Sequence, residues 1–241
     1  MQTEKQSWSI IIFCFNEVET IERVAKSCEF ILSKIASEDY EVLIVDDGST
    51  DGSRAKIESI VNSSQNFRAI YHPENKGIGH TLRTGYFNVK NENVCAVPAD
   101  GQFDIKELFD FGIVQPNSFI SFYRKENTTY TFARNVLSWA NRMLNKHVNG
   151  FDLKDVNWVK IYKTKALKSL NLELESSLVE SEICAKLMLS GFEVKEVTSK
   201  YLPREAGMSK GASGKIIKQA MNDTLTLARV LSKFRNAKTV N

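Results

Sequence analysis

The feature that most constrains the fold is a regular alternation of short apolar runs with amphipathic stretches over the first hundred residues. Residues 9–15 form an almost continuous apolar run that reads as a strand. Asn16, with Glu19 three residues on, is expected to cap a helix in which Ile21, Val24, Ala25, Cys28, Ile31, Leu32 and Ile35 recur at helical spacing. Residues 41–45 are too few for a helix and run into Asp46-Asp47-Gly48-Ser49, as a buried strand ending in a polar loop would. A short helix over 53–61, a strand over 67–71, a helix over 79–87 and a strand over 94–97 complete the pattern. Strands alternating with helices predict βαβ units, and hence an α/β fold with a mainly parallel central sheet flanked by helices. Ligands of such sheets gather at the carboxyl ends of strands. That is where the chain places Asn16 and Glu17, then Asp46 and Asp47, then Asp100 and Gln102.

Beyond Asp100 the alternation weakens. Strands are expected over 119–123, 156–162 and 194–197, helices over 132–144 and 181–189, a glycine-rich basic loop over 203–214 and an amphipathic helix over 215–234. The 241 residues, 42% hydrophobic and 25% charged, suit one globular core with appendages. The expected division is one domain over 1–202, its halves meeting at about residue 103, and a C-terminal extension over 203–241. Apolar runs fall short of the roughly 18 residues a bilayer demands, and residues 1–8 are polar, so a cytoplasmic protein is expected. Cys14, Cys28, Cys95 and Cys184 lack metal or redox spacing and read as buried reduced thiols. The net charge of +3 divides unevenly, with +7 from Lys195 onward and −4 before it, which implies an anionic partner for the C-terminal part. The basic tail is not interleaved with aromatic residues, which disfavours nucleic acid. Three roles are open to the final helix: packing on its own domain, pairing in a homodimer, or peripheral contact with the inner face of a membrane.

Three segments carry candidate chemistry. In Val45-Asp46-Asp47-Gly48-Ser49-Thr50-Asp51, adjacent carboxylates at a strand end can accept hydrogen bonds from a nucleobase or ribose, or Asp47-Gly48 can simply form a turn and Ser49 or Asp51 cap a helix. Asn75-Lys76-Gly77-Ile78-Gly79 has the glycines and lysine of a phosphate loop without P-loop or dinucleotide spacing. Ala99-Asp100-Gly101-Gln102 offers a hard oxygen donor for a divalent cation against a diphosphate, or a plain Asp-Gly turn.

Taken in order, Phe15-Asn16-Glu17, Val45 to Gly52, Asn75 to Gly79 and Ala99 to Gln102 closely resemble the family 2 glycosyltransferases of the GT-A fold, and among them the polyprenyl-phosphate (dolichol-phosphate) sugar transferases. Downstream, Arg124, Arg134 with Ser138 and Asn141, Asp155-Val156-Asn157-Trp158-Val159-Lys160, Glu182, and Arg204 with Gly207, Ser209 and Lys210 resemble later segments of that family. The resemblance implies an inverting hexosyltransferase that takes a sugar from a GDP- or UDP-linked donor. Donor contacts would come from Phe15, Asn16, Glu17, Asp46, Asp47, Lys76, Gly77 and Asp100, and acceptor-phosphate contacts from Arg124, Arg134, Arg204 and Lys210. The guanidinium fork suits phosphate, although any one arginine could instead be a surface ion pair. The acceptor would be a polyprenyl phosphate or a growing surface glycan.

The resemblance also implies Mg²⁺ or Mn²⁺ at Asp100 and Gln102, but Pro98 stands where the family's D-x-D has its first acid, so charge compensation for the leaving diphosphate would be weaker unless Asp104 contributes. An alcohol acceptor would need a base, for which Asp155 and Glu182 are the candidates; an anionic phosphate would not. Glu182 has a structural alternative in the first turn of its helix. Two rival functions are a degenerate nucleotide-sugar binder, suggested by Pro98, and a nucleotidyltransferase, which would want a basic glycine-rich loop where the chain has Phe15-Asn16-Glu17.

Overall fold

The computed structural model describes residues 5–37, 39–124, 146, 152–204 and 214–239. The expected helix over 132–144, with Arg134, Ser138 and Asn141, lies outside the described residues, as do Gly207, Ser209 and Lys210.

The first half alternates as the apolar pattern requires: β1 Trp8–Cys14, α1 Ile21–Ile35, β2 Tyr40–Asp46, α2 Ser53–Ser63, β3 Phe67–Tyr71, α3 Ile78–Asn88 and β4 Asn93–Pro98. A 3₁₀ helix, Ile105–Phe111, precedes β5 Ser118–Arg124, β6 Lys160–Lys163, α4 Thr164–Lys168, α5 Val179–Leu189, β7 Glu193–Ser199 and the long α6 Gly214–Thr239. The strands make one sheet in the order β3-β2-β1-β4-β6-β5-β7. Pairing is parallel except along β6, which runs antiparallel to both β4 and β5.

Because side chains alternate across a strand, each central strand feeds two cores. Ile10, Ile12, Val42, Ile44, Cys95 and Val97 face the side covered by α1, α2 and the 3₁₀ helix. Ile11, Leu43, Val45, Val94 and Ala96 face the side covered by α3 and α5. Burial on both faces explains why these strands read as continuous apolar runs. The apolar positions expected on α1 are all buried, and the four cysteines are free and buried.

Two local expectations are corrected. The first helix opens at Ile21 and not behind Asn16, because Asn16 takes a left-handed φ of 57° and turns its side chain toward the neighbouring loop. β6 begins at Lys160 and not at 156, because the buried Lys160 ammonium draws the preceding chain into a turn, donating to the carbonyl oxygens of Asp155, Val156 and Trp158 at 3.0, 3.2 and 2.9 Å.

Candidate nucleotide-sugar site

Strand order reverses between β1 and β4, which is where an open α/β sheet forms its crevice. In the registers Cys14 stands opposite Asp46 and Phe13 opposite Pro98, so the loops after β1, β2 and β4 leave the sheet side by side. Four hydrogen bonds tie the first two loops together. Thr50 N–H donates to Asn16 Oδ1 (2.8 Å), Asn16 N–H to Ser49 Oγ (2.9 Å), Glu17 N–H to Ser53 Oγ (2.9 Å) and Val18 N–H to Asp51 Oδ2 (3.0 Å). Burial alone would push the Asp51 carboxyl up, but donors from Ser53 and Val18 hold it below the usual value. The role of the Ser49 to Ser53 segment is therefore to fix the rim of the crevice.

The adjacent acids divide sharply. Asp46, expected among the donor contacts, is fully buried and closes its own turn by accepting Ser49 N–H on Oδ1 at 3.2 Å, so it is not presented to the cleft. Asp47 is turned across to the next loop. Its Oδ1 accepts Lys76 N–H (3.0 Å) and meets His72 Nδ1 (2.8 Å), while Oδ2 accepts Gly77 N–H (2.8 Å). His72 in turn reaches Thr84 Oγ1 on α3 through Nε2 (2.9 Å). Gly48 makes the close approach feasible: its φ is +73°, and a Cβ there would sit 2.6 Å from the Glu74 carbonyl carbon. The amides of Lys76 and Gly77, which suggested a phosphate cradle, are thus held by Asp47, and the loop enters the cleft by its side chains and surface.

After β4, Gln102 N–H donates to Asp100 Oδ1 (3.0 Å) and the Gln102 amide donates to Tyr201 Oη (2.6 Å). A bridge between Phe103 and Tyr201, with Leu202 N–H on the Gln102 carbonyl oxygen, stitches the chain after β7 to this loop. That seam delivers Arg204 to an ion pair with Glu17. Desolvation raises the carboxyls of both Glu17 and Asp100 above their ordinary values, with Arg204 opposing it in each case. Among the described residues no cluster of three His, Cys, Asp or Glu side chains gathers into a metal site. A single carboxylate nevertheless fits Mg²⁺, which takes one or two protein carboxylates and completes its shell with substrate phosphates and water.

The downstream residues separate into a near group and a remote one. Arg124 grips Asp155 through Nε (2.7 Å) and Nη2 (3.1 Å), with its guanidinium over the rings of Trp158 and Tyr201, 4.7 and 5.6 Å from their centroids. Glu182 is not brought to the cleft. It is fully buried, accepts Glu173 and Leu174 N–H (2.9 and 2.8 Å) and pairs with Lys186 at 2.6 Å, a bracing role within its own corner of the core. Glu180 takes the inward position, receiving the hydroxyls of Tyr86 and, at 2.6 Å, Tyr162. Burial raises its carboxyl, against the pull of Lys160 and the two phenols.

Two adjoining hollows result. A cleft of about 600 Å³ is lined by Phe15, Asp47, Lys76 and Gly77, with Ser177 and, from α6, Asp223. A chamber of about 210 Å³ lies beyond it, with Asp100, Asn157, Trp158 and Glu180 in its wall. The two share Phe13, Ile78 and Ser177. His72, Glu180 and Asp223 escape a reading of the sequence, since none belongs to a motif. An Asp47 carboxylate needing donors was the only available signal for His72.

Comparison with known proteins agrees with this geometry. Residues 9–111 match the family model described as Glycosyl transferase family 2. The chain is 27% identical over 239 residues to an uncharacterized glycosyltransferase of Bacillus subtilis, covering 92% of this chain and 68% of that protein. It is 31% identical over 105 residues to an undecaprenyl-phosphate 4-deoxy-4-formamido-L-arabinose transferase of Proteus mirabilis, covering 42% of this chain and 31% of the relative. A dolichyl-phosphate beta-glucosyltransferase of Saccharomyces cerevisiae is 29% identical over 111 residues, 42% of this chain and 33% of its own length. The chain thus spans about a third of these two lipid-linked relatives. Among solved structures, glucosyl-3-phosphoglycerate synthase of Mycobacterium tuberculosis with Mn²⁺, UDP and phosphoglyceric acid superposes with a TM-score of 0.65 at 16% identity, over 92% of this chain and 78% of that one. Its complex with Mg²⁺ and UDP gives 0.65 at 17% identity, over 92% and 79%. With the strand-tip crevice and the sheet order in agreement, the chain has the GT-A fold, and over residues 9–111 it is similar to glycosyl transferase family 2.

Proposed function

We propose that the chain transfers a sugar, with inversion, from a uridine or guanosine diphosphate donor to an anionic phosphate acceptor of the polyprenyl-phosphate kind. The observation that carries the donor half is that the larger cleft, bordered by Asp47, Lys76 and Gly77, adjoins the chamber beside Asp100, with Phe13, Ile78 and Ser177 in both walls. A nucleoside fits the first, and a single sugar ring fits the second. Asp47 spends three acceptor positions on protein donors, leaving one of the roughly four that a carboxylate offers for a base N–H or a ribose hydroxyl. Arg204, beside both Glu17 and Asp100, is placed to exchange its carboxylate partner for the diphosphate. Asp100 would hold the divalent cation, which supplies charge neutralisation for the departing diphosphate when bound.

The acceptor half rests on the state of the two candidate bases. Asp155 is engaged by both nitrogens of the Arg124 fork, and Glu182 is buried against Lys186. A phosphate oxygen attacks C1 without giving up a proton, so the reaction needs orientation more than a base. In this reading Asp155 aims Arg124 at the acceptor phosphate, with Arg204 beside it and with Arg134 and Lys210, outside the described residues, as further phosphate contacts. The lipid-phosphate names of two relatives support the same class of acceptor. Peripheral attachment to the inner face of a membrane follows as part of the proposal. No helix among the described residues is long and apolar enough to cross one.

The test is a thermal-shift panel of UDP-, GDP- and dTDP-sugars with Mg²⁺ or Mn²⁺, followed by transfer assays on undecaprenyl phosphate and undecaprenol. A donor at 100 times its Kd should stabilise the protein by about 2.7 kcal/mol. Asp47→Ala should lose that shift, and product should form on the phosphate and not on the alcohol. Donor binding without transfer to either lipid would favour the degenerate binder that Pro98 suggests, and release of pyrophosphate would favour nucleotidyl transfer.

A further inference from the structure

We infer that Tyr201 is a positioning residue for the transfer step: its hydroxyl is tied to the loop that carries Asp100 and its ring faces the Arg124 guanidinium, so the donor and acceptor ends of the site are kept in register. This role rests on the transfer reaction proposed above and assigns to it a residue outside every segment that resembles the family.

On the donor side, the Gln102 side-chain amide donates to Tyr201 Oη at 2.6 Å, while the Gln102 backbone N–H donates to Asp100 Oδ1 at 3.0 Å. On the acceptor side, the centroid of the Tyr201 ring lies 5.6 Å from that of Trp158 and 5.6 Å from the guanidinium carbon of Arg124. Arg124 also covers Trp158 at 4.7 Å and is forked onto Asp155. The main chain fixes Tyr201 between these partners, through its bridge to Phe103 and through Leu202 N–H on the Gln102 carbonyl oxygen at 3.0 Å. Trp158 is pinned to the end of β7 in turn, its indole N–H donating to Ser199 Oγ at 2.9 Å. Tyr201 itself is in the wall of neither hollow, so it acts through its neighbours.

Register matters to a displacement reaction. The attacking phosphate oxygen must meet C1 in line with the departing diphosphate, and a misplacement of about 1 Å can cost roughly 10²-fold in rate. Asp155 and the two aromatic faces set how Arg124 points, by the fork and by cation–π attraction. The Gln102–Tyr201 bond joins that group, side chain to side chain, to the turn closed by Asp100. Tyr201→Phe keeps the ring beside Arg124 and removes the bond, so it loosens the register while every group that faces a substrate stays in place.

Steady-state transfer tests it. The wild type, Tyr201→Phe, Gln102→Ala and the double variant are assayed with undecaprenyl phosphate and the donor that the thermal-shift panel selects, and donor affinity in Mg²⁺ is measured beside them by calorimetry. Tyr201→Phe should lose about tenfold in kcat, the worth of one well-made hydrogen bond, with donor Kd and acceptor KM within about twofold of wild type. Gln102→Ala should lose as much, and the double variant no more than either, because both remove the same bond. Tyr201→Phe working at full rate with a lowered melting temperature would make Tyr201 a structural pin for the chain after β7. A raised acceptor KM at unchanged kcat would confine it to phosphate binding, and losses that multiply in the double variant would dissolve the pair. Each of these three results overturns the inference while wild-type transfer upholds the reaction. If the wild type transfers nothing, the reaction falls and this role with it.

Discussion

At the scale of single residues, Glu180 shows how a buried carboxyl becomes a pH-dependent load on the fold. It lies on α5 among Tyr86, Tyr162 and Cys184, and burial raises its carboxyl above the ordinary 4.5, the opposing pull of Lys160 and the phenols being smaller. The native state then keeps its proton at pH values where the unfolded chain has lost it. Stability from this group is complete below the unfolded value, falls as pH rises through the interval up to the native value, and is level above it. Glu180→Gln keeps the acceptor oxygen for a phenol and removes the titration. Melting curves from pH 4 to 8 should show the variant gaining on the wild type as pH rises, with the gap widening through that interval. A constant gap at every pH would mean that Glu180 titrates no differently in the fold than in the unfolded chain. Among the other acids, the doublet at a strand end made Asp47 legible as a candidate, and it does line the larger cleft, whereas nothing in the doublet says that Asp46 turns into the core. Side-chain direction at that corner follows from the left-handed glycine and the approach of residues 74–77, which are long-range facts.

At the scale of elements, the strands were legible because burial on both faces forces continuous apolar runs, and α1 because only one of its faces is buried. Helix α5 was legible as a helix but not in its phase. It is buried almost all round, so its sequence shows no polar face, and Glu180 and Glu182, about 200° apart around the axis, look alike on paper although the first lines the smaller chamber and the second is buried against Lys186. The run 156–162 misled for a related reason: its mostly apolar residues read as one buried strand, while the turn that interrupts them is made by one buried ammonium. The contact between α3 and the segment before α5 carries a prediction of its own. A Cβ on Gly79 would collide with the carbonyl oxygens of Glu175 and Ser176, which form the far wall of the larger cleft. Gly79→Ala must push that wall outward. Denaturant unfolding should register a loss of about 1–3 kcal/mol, the usual toll of overpacking, and donor titration a weaker affinity. Wild-type values for both quantities would show that the wall does not rest on α3.

At the scale of the whole molecule, the question is what the C-terminal helix does, since its amphipathic pattern is equally compatible with a domain, a second copy or a membrane. The structure gives part of α6 to the domain. Leu227 and Leu231 are fully buried in the core cluster that includes α5, Phe234 lies under the Lys186 ammonium at 5.5 Å, and Asp223 reaches the larger cleft. Leu225, two residues from Leu227, is 62% exposed and marks the opposite face. If docking of α6 closes the second core, Leu231→Ala should cost about 2–5 kcal/mol, the range for a leucine cut back in a packed interior. Leu225→Ala should stay within about 0.5 kcal/mol. Urea unfolding of the two variants makes the comparison, with donor affinity as a second reading, because loosening the helix also withdraws Asp223 from the cleft wall. Equal and small effects would place the helix off the domain, and the apolar residues at 227 and 231 would then have to be covered by something other than this chain. A large effect at 231 alone leaves the exposed face, with Leu225 on it, as the part of the extension still available to a membrane or a second copy.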